Sequence, residues 1–443
     1  MVRWAPKRNE HAGAGDVSGA ATDATALSAP GRRPRRSVAR QFSFIALARI
    51  GSAAVQAAVG VALARSVDPE QYGFVTAVAG AALFWFIACD LGISSCIGRA
   101  RAMSDGSTVD TALFISRWTS VLGGLLAVVV ALLVVAEGTG DLVFATALII
   151  TAQGLDKNID AVLAVSVADG DVRLPATSQL LRRLVTAAAF AALIGCGFDA
   201  VGAYSLAVVC GPLAGHVQIR AHVHRLGVAP RRRRPVGSVL RRSAMFAVND
   251  IAIQSRALDV GLVAVCGSVT GSGLYASAAK LTSPFQLVSS TLAAVLLPRA
   301  ARSTPADARR AAVKLLVGAT LLVAPMLGLA ALSGPIVLAV LGEGYAASAA
   351  ALAVLLVAMP YMALPAPLAS LLQGVGEERS VAVNGVVFAG VILAATGVGA
   401  LLAGATGAAV GVASGSVLKV ITLAVCLARL PSDEGSDVLA AKR

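Results

Sequence analysis

Twelve apolar stretches of spanning length follow one another along this 443-residue chain. A stretch of about 20 apolar residues is long enough to cross the hydrocarbon core of a bilayer as a helix. We therefore predict an all-α polytopic membrane protein with twelve transmembrane helices. The stretches are residues 42–64, 73–98, 110–136, 141–168, 173–197, 200–224, 237–267, 272–298, 309–331, 346–373, 380–402 and 406–429.

The composition agrees with a membrane protein. The chain is 57% hydrophobic and only 14% charged, with a mean hydropathy of +0.79, whereas a soluble chain is typically about 25% charged. The formal net charge is +13, but the Lys and Arg residues lie in short runs between the apolar stretches. That distribution is typical of the positive-inside rule, so we expect no nucleic-acid partner.

Charge also predicts the orientation in the membrane. With the N-terminus placed in the cytoplasm, the outer loops hold only Arg65, and nearly all other loop and tail Lys and Arg are cytoplasmic. We therefore predict that both termini lie in the cytoplasm. Residues 1–40 have no apolar core of a signal peptide, and we interpret them as a disordered basic tail.

The arginine run from Arg231 to Arg234 divides the predicted spans into two sets of six. Because six is even, each set begins and ends in the cytoplasm, as parallel repeats do. Tyr72 and Tyr275 occupy similar places at the starts of the second and eighth spans, which agrees with a repeat. The predicted domains are a tail (1–40), an N-lobe (41–225), a linker (226–236), a C-lobe (237–430) and a second cytoplasmic tail (431–443).

The span 141–168 contains a polar stretch from Gln153 to Asp160. On a helix, its charged residues Asp156, Lys157 and Asp160 lie within about a third of the circumference. A charge at the bilayer centre costs about 2.5–3.5 kcal/mol, so such groups normally face a protein interior or a water-filled cavity. We therefore predict a polar interior between the helices.

Ionisable residues inside the spans are the candidate site. The bases would suit an anionic cargo such as a phosphate or pyrophosphate, and they are Arg49, Lys157, Arg256, Lys280 and Lys419. The acids are candidates for binding H⁺ or Na⁺ as a coupling ion, or for ion pairs, and they are Asp90, Asp156, Asp160, Asp250 and Asp259. The alternative to a transport pathway is local pairing of Lys157 with Asp160, Arg256 with Asp259 and Arg49 with Asp90. Arg182 and Arg183 are set aside as residues near a helix end.

Signatures of a metal site, a cofactor or catalysis are lacking in the sequence. The six cysteines form no C-x-x-C pair, and His222 and His224 are two residues apart, so they do not share a helix face. No phosphate-binding loop, H-E-x-x-H motif or G-x-S-x-G elbow occurs. We expect no metal and no cofactor, and we expect the protein not to be an enzyme.

Several short motifs, in order over about residues 40–430, resemble Wzx-type polysaccharide flippases. The run from Leu63 to Gly73, LARSVDPEQYG, resembles their first outer loop, and Asp90 to Ser94 resembles the end of their second helix. Similar motifs of the eighth helix and of the region around the tenth are Gly273–Leu281, Leu297–Arg299, Leu341–Tyr345 and Leu372–Gly376. The long arginine-rich N-terminal tail departs from the usual short one.

The resemblance implies membership of the multidrug/oligosaccharidyl-lipid/polysaccharide (MOP) exporter superfamily. Such proteins have two six-helix lobes around a central cavity and work by alternating access. The resemblance also implies a function in the bacterial plasma membrane. The protein would flip polyprenyl-(pyro)phosphate-linked oligosaccharides to the outer leaflet for cell-surface polysaccharide biosynthesis, with other assembly proteins as candidate partners. A first-helix arginine facing the cavity is common in the family, which points to Arg49.

Three alternatives stay open at this point. A multidrug exporter of the same superfamily would carry cations and should have an acidic, aromatic-lined cavity, but aromatic residues are only 5% of this chain. The lipid II flippase branch usually has two further helices after the twelfth. A membrane polymerase or glycosyltransferase generally needs a large outer loop, whereas the predicted outer loops are short.

Overall fold

The computed structural model of the protein describes residues 38–103, 105–134, 140–171, 173–223, 234–300 and 303–430. Most of the predicted basic tail, most of the linker and the second tail therefore lie outside the described residues. The first half of the chain forms α1 (Val38–Ser66), α2 (Pro69–Asp90), α3 (Ile93–Ala102), α4 (Gly106–Val134), α5 (Gly140–Ala168), α6 (Arg173–Gly195) and α7 (Ala200–Val223).

The second half is also helical, with two 3-10 turns. Its elements are α8 (Val236–Gln254), a 3-10 turn (Ser255–Leu258), α9 (Asp259–Cys266), α10 (Val269–Ala300), α11 (Pro305–Ala331), α12 (Ser333–Val340), a second 3-10 turn (Glu343–Ser348), α13 (Ala349–Met362), α14 (Pro365–Gly374) and α15 (Glu378–Ala428). All twelve predicted apolar stretches fall on these elements, and the described ranges contain no strand, which confirms the all-α fold. The number of membrane spans stays a prediction.

Exposed apolar surface identifies a multi-pass membrane protein. Six helical segments among the described residues are long and apolar enough to cross a bilayer. Helices α4 and α11 expose large apolar side chains along their length, such as Leu125 at 61% and Leu321 at 72%. A continuous apolar surface of this kind suits contact with lipid rather than with water. The six segments are Pro69–Asp90, Gly106–Leu133, Ala200–Ala221, Pro305–Ala331, Glu343–Gly374 and Glu378–Ala428.

Short polar residues and prolines set where several helices begin. Asp68 caps α2 by accepting a hydrogen bond from the backbone N of Gln71 at 2.8 Å, and Pro69 occupies the first turn. Thr304 and Asp307 form a capping box at the start of α11. Helix α2 ends where Leu91 and Gly92 adopt left-handed conformations, with φ of 50° and 70°.

Helix α15 is a hairpin of two helical arms rather than one straight helix. Ala403 and Gly404 have non-helical backbone angles, so the chain reverses there. A Cβ atom at Gly407 would overlap the carbonyl oxygen of Gly399, and one at Gly411 would overlap that of Ala395. Gly407, Gly411 and Gly415 are spaced four residues apart, so they share one face of the second arm and allow close packing of the two arms.

Helix α2 forms a seam between the two halves of the chain. Near its start, a Cβ at Gly73 would lie 2.6 Å from the backbone N of Gly273 on α10. In its middle, a Cβ at Gly80 would overlap the carbonyl oxygen of Ala257 in the 3-10 turn. Just after its end, a Cβ at Gly92 would lie 2.7 Å from the carbonyl oxygen of Ser243 on α8. Backbone therefore meets backbone at three levels of this seam.

Three tyrosines lie at the end of the bundle where α2 and α10 begin. The rings of Tyr72 and Tyr345 pack edge to face with centroids 6.0 Å apart. The Tyr345 hydroxyl donates a hydrogen bond to the carbonyl oxygen of Val67 at 3.2 Å. Tyr72 and Tyr275 are both almost fully buried, so the two residues that we predict to be equivalent occupy similar environments.

Candidate functional site

A charged network joins α5 and α6 inside the first half. The Nη1 atom of Arg182 lies 2.7 Å from Oδ1 of Asp156, and its Nη2 atom lies 3.0 Å from Oδ1 of Asp160. The two acids are one helical turn apart on α5, so one guanidinium can reach both. Arg182 is buried, while the side chain of Asp160 is 52% exposed. The network therefore has a buried centre and an accessible edge.

Helix α7 leaves room for this arginine because it has glycine at the contact. A Cβ at Gly215 would lie 2.9 Å from Cδ of Arg182, and one at Gly211 would lie 2.6 Å from the Arg182 carbonyl oxygen. These two glycines are four residues apart and so lie on the same helix face. The long side chain of Arg182 thus fits between three helices without disturbing their packing.

A second ion pair joins α5 to the end of α2. The Nζ atom of Lys157 lies 3.7 Å from Oδ2 of Asp90, whose side chain is 3% exposed. The same carboxylate accepts a hydrogen bond from the backbone N of Ser94 at 3.2 Å and so caps α3. Asp90 therefore stabilises both the break between α2 and α3 and the positive charge of Lys157.

The second half has its own charged group at a helix break. Arg256 lies in the 3-10 turn between α8 and α9, and its Nε atom is 3.5 Å from Oδ2 of Asp259. The buried Tyr275 hydroxyl donates to the same oxygen at 3.4 Å. The arginine side chain is 38% exposed and the aspartate side chain only 5%. The acid is thus fixed in the protein, while the guanidinium is partly accessible.

Two lysines stand apart from these pairs. No salt bridge joins Lys280 or Lys419 to an acid in the part of the chain that the structure describes. Lys280 on α10 lies against α1 of the other half, because a Cβ at Gly60 would be 3.2 Å from its Cε. Lys419 lies on the second arm of α15, one turn before Thr422, which accepts a hydrogen bond from Asn384. Of the candidate bases whose side chains the structure describes, these two are the ones without a described acidic partner.

The structure changes the pairing that the sequence suggests. Of the suggested pairs, Arg256 with Asp259 is formed, but Lys157 pairs with Asp90 rather than with Asp160. Asp160 is bound instead by Arg182, which we predict from the sequence to lie near a helix end and outside the candidate site. Arg182 lies ten residues into α6, and that depth within an apolar stretch is the signal that could have identified it.

The two remaining candidate residues are Asp250 and Arg49. Asp250 accepts a hydrogen bond from the hydroxyl of Ser95 at 3.2 Å, so it lies at the contact between α8 and α3. The side chain of Arg49 lies outside the described residues, and so its predicted pairing with Asp90 does too. The described bases of the candidate site are therefore Lys157, Arg256, Lys280 and Lys419.

Solved structures share the arrangement of these helices. A multidrug resistance MATE family transporter in an inward-facing conformation is 14% identical, with 85% of this chain and 94% of that chain covered and a TM-score of 0.65. The lipid II flippase MurJ in its inward closed conformation is 10% identical, with 87% and 88% covered and a TM-score of 0.66. A MOP superfamily transporter from Pyrococcus furiosus is 14% identical, with 88% and 95% covered and a TM-score of 0.62.

At these identities the likeness establishes the fold, and the chain is a multi-pass membrane protein with the helical fold of the MOP superfamily. No curated protein matches its sequence. The polysaccharide biosynthesis protein family matches residues 62–350. Since that match covers more than half of the chain, the protein belongs to the polysaccharide biosynthesis protein family.

Proposed function

We propose that this protein is a flippase of the bacterial plasma membrane with both termini in the cytoplasm. Its cargo would be a polyprenyl-(pyro)phosphate-linked oligosaccharide, moved from the inner to the outer leaflet by alternating access for cell-surface polysaccharide biosynthesis. The family supports a place in polysaccharide biosynthesis, and the fold supports a membrane carrier.

The observation that carries this proposal is the pair of lysines without an acidic partner among the described residues. An ammonium group inside a span costs about 2.5–3.5 kcal/mol, and neither Lys280 nor Lys419 has a described carboxylate to offset that cost. A phosphate or pyrophosphate would supply the missing negative charge. A cationic drug would instead be repelled, so the lysines favour an anionic cargo over a cationic one.

The position of Lys280 supports a site between the two halves. Its side chain belongs to α10 but lies against Gly60 of α1, so an anion bound to it would lie close to both halves. A ligand changes a conformational equilibrium only when it interacts differently with the two states. An anion at this boundary satisfies that condition, because separation of the halves would alter its contacts.

The first experiment is mass spectrometry of polyprenyl-linked lipids from cells depleted of the protein and complemented with variants. We expect depletion to cause accumulation of one complete lipid-linked oligosaccharide. Wild-type protein should clear the lipid, whereas Lys280→Gln and Lys419→Gln should not. Lys314→Gln is the matched control, because Lys314 is exposed near the start of α11 and should clear the lipid normally.

Two other outcomes would contradict the proposal. An unchanged lipid pool together with new sensitivity to cationic dyes would favour a cation-coupled multidrug or small-molecule exporter. Accumulation of single lipid-linked repeat units that have already reached the outer leaflet would favour a polymerase. In the latter case the product missing from depleted cells would be polymer rather than flipped lipid.

Coupling to H⁺ or Na⁺ is the second part of the proposal. Asp160 has a half-exposed carboxylate inside a span, so an ion can reach it while Arg182 holds its other side. One charge moved through 100 mV is worth about 2.3 kcal/mol, enough to bias the return of an empty carrier. We would measure flipping in proteoliposomes under imposed pH, Na⁺ and voltage gradients. Rates that ignore all three gradients would eliminate coupling.

A further inference from the structure

The last arginine of the linker is bound at the start of α4. The backbone N of Arg234 donates to Oγ1 of Thr111 at 2.9 Å, and its Nε donates to Oγ of Ser107 at 3.1 Å. Its Nη2 atom lies 3.2 Å from Oδ2 of Asp105. Arg234 belongs to the segment that leads into the second half, whereas the three partners belong to the first half.

Asp105 both caps α4 and forms ion pairs with two arginines. Its carboxylate caps α4 by accepting hydrogen bonds from the backbone N and the hydroxyl of Thr108, at 3.2 Å and 2.8 Å. It also lies 3.8 Å from Nη1 of Arg242 on α8, in addition to its pair with Arg234. One acid of the first half therefore holds one arginine of the linker and one arginine of α8.

A comparison with α11 shows that capping alone does not require these arginines. Asp307 also caps its helix, and its partner is Arg310 on the same helix at 3.3 Å. The Asp307 pair is mostly exposed, with side chains 50% and 75% accessible, whereas the Asp105 side chain is only 18% exposed. The contact between the halves is thus an additional feature of Asp105.

Neighbouring contacts extend the same corner. The hydroxyl of Ser95 on α3 donates to Asp250 on α8 at 3.2 Å. Gly92, between α2 and α3, has the backbone of α8 so close that a Cβ would lie 2.7 Å from the Ser243 carbonyl oxygen. Asp105 and Arg234 lie between predicted spans on the cytoplasmic side, and these further contacts lie inside the predicted spans 73–98 and 237–267, toward the same end.

We propose that Asp105, Arg234 and Arg242 form a latch that holds the two halves together at this end and opens when they separate there. Ion pairs near a protein surface are individually weak, which suits a contact that has to break and reform in every transport cycle. The latch concerns the conformation of the protein and does not depend on which cargo is carried. It can therefore fail or succeed independently of the proposed function.

The test is a distance reporter across the corner in the full-length protein. Cysteines replace Ser95 and Asp250 in a background without the six native cysteines, and a short bifunctional thiol reagent joins them in membranes. We expect Asp105→Asn to lower the cross-linking rate about fivefold, which is about 1 kcal/mol at 1.4 kcal/mol per tenfold. The one side-chain oxygen of asparagine can still accept the hydrogen bond from the backbone N of Thr108, so the cap of α4 should remain.

Asp307→Asn is the matched control, because it neutralises a capping acid that has no described partner beyond its own helix. We expect it to cross-link like the parent. Should Asp105→Asn fail to insert, the double variant Arg234→Gln, Arg242→Gln removes the same pairs and leaves the cap unchanged. Equal rates for the parent, the control and that double variant would overturn the latch.

Discussion

The Nη1 atom of Arg182 lies 2.7 Å from Oδ1 of Asp156, which ties α6 to α5 through a buried ion pair. The same guanidinium reaches Asp160, so one cation serves two acids. Removing one partner from such a group leaves charge uncompensated inside the protein. This arrangement makes Arg182 a residue of the fold as well as a neighbour of the candidate coupling acids.

We expect Arg182→Gln to destabilise the protein by about 3–5 kcal/mol, because Asp156 and Asp160 would lose their shared counter-charge. Unfolding of the detergent-solubilised protein measures the effect. Arg310→Gln is the control and should change stability by less than about 1 kcal/mol, since Arg310 is 75% exposed. Equal unfolding of the two variants would show that the network contributes nothing to the fold.

Arg256→Ala should abolish export while the protein still inserts. The side chain lies at a helix break and is partly accessible, so it can contact cargo in addition to Asp259. From the sequence we expect the same result for Arg49→Ala. Accumulated lipid-linked oligosaccharide reports the loss, and Arg379→Ala, at an exposed position at the start of α15, should behave normally. Full export by both variants would refute the cationic site.

Gly273→Ala should destabilise the seam between the halves by about 1–3 kcal/mol. The new Cβ would overlap the carbonyl oxygen of Pro69, and backbone atoms on both sides have to move. Gly328→Ala on α11 is the matched control. Its Cβ would meet open space, and alanine favours a helix by about 0.5–1 kcal/mol. We expect Gly273→Ala to lower the thermal unfolding temperature and Gly328→Ala to raise it. A Gly273→Ala variant as stable as the parent would contradict the close contact.

The latch should be insensitive to pH in the physiological range. Partial burial acts to raise the pKa of Asp105, but hydrogen bonds from Ser107 and Thr108 and the charge of Arg234 outweigh it, so the pKa lies below its ordinary value. Because the pKa of Asp105 is lower in the folded protein, its contribution to stability is fully present above the ordinary pKa of about 3.9. That contribution is lost as the pH falls through the lowered pKa. The groups around Asp105 also include Arg242 and the Cys96 thiol.

Cross-linking of the Ser95 and Asp250 positions should therefore be constant from about pH 8 to about pH 5. The measurement uses a reagent whose reaction with thiols is calibrated at each pH on the isolated single-cysteine proteins. A loss of cross-linking near pH 6 would mean that another group, and not Asp105, controls the contact.

The helical architecture could be predicted because its physical cause is local. Apolar length alone requires helical structure in a bilayer, so the predicted stretches are helical, although 73–98, 237–267 and 346–373 are each divided between two or more elements. The stripe of charge on α5 is also a local property. Asp156 and Asp160 are one turn apart and do share a face, where both meet Arg182.

The identity of each charge's partner is not local. Helix periodicity shows which face a residue occupies but not which helix packs against that face, so Lys157 could not be assigned to Asp90 on α2. The break after α2 could not be predicted from the sequence either. It includes Leu91 at φ 50°, a left-handed conformation that is uncommon for residues other than glycine and that an apolar sequence pattern does not indicate.

The glycine contacts along α2 have a genetic consequence. Every missense change in a glycine codon adds at least a Cβ atom. At Gly73, Gly80 and Gly273 that atom would overlap backbone atoms of the facing segment. In a saturation library these codons should therefore tolerate almost no amino-acid change. Gly318 and Gly334 face open space and should accept alanine or serine. The map of forbidden codons would trace the line along which the two halves of this protein meet.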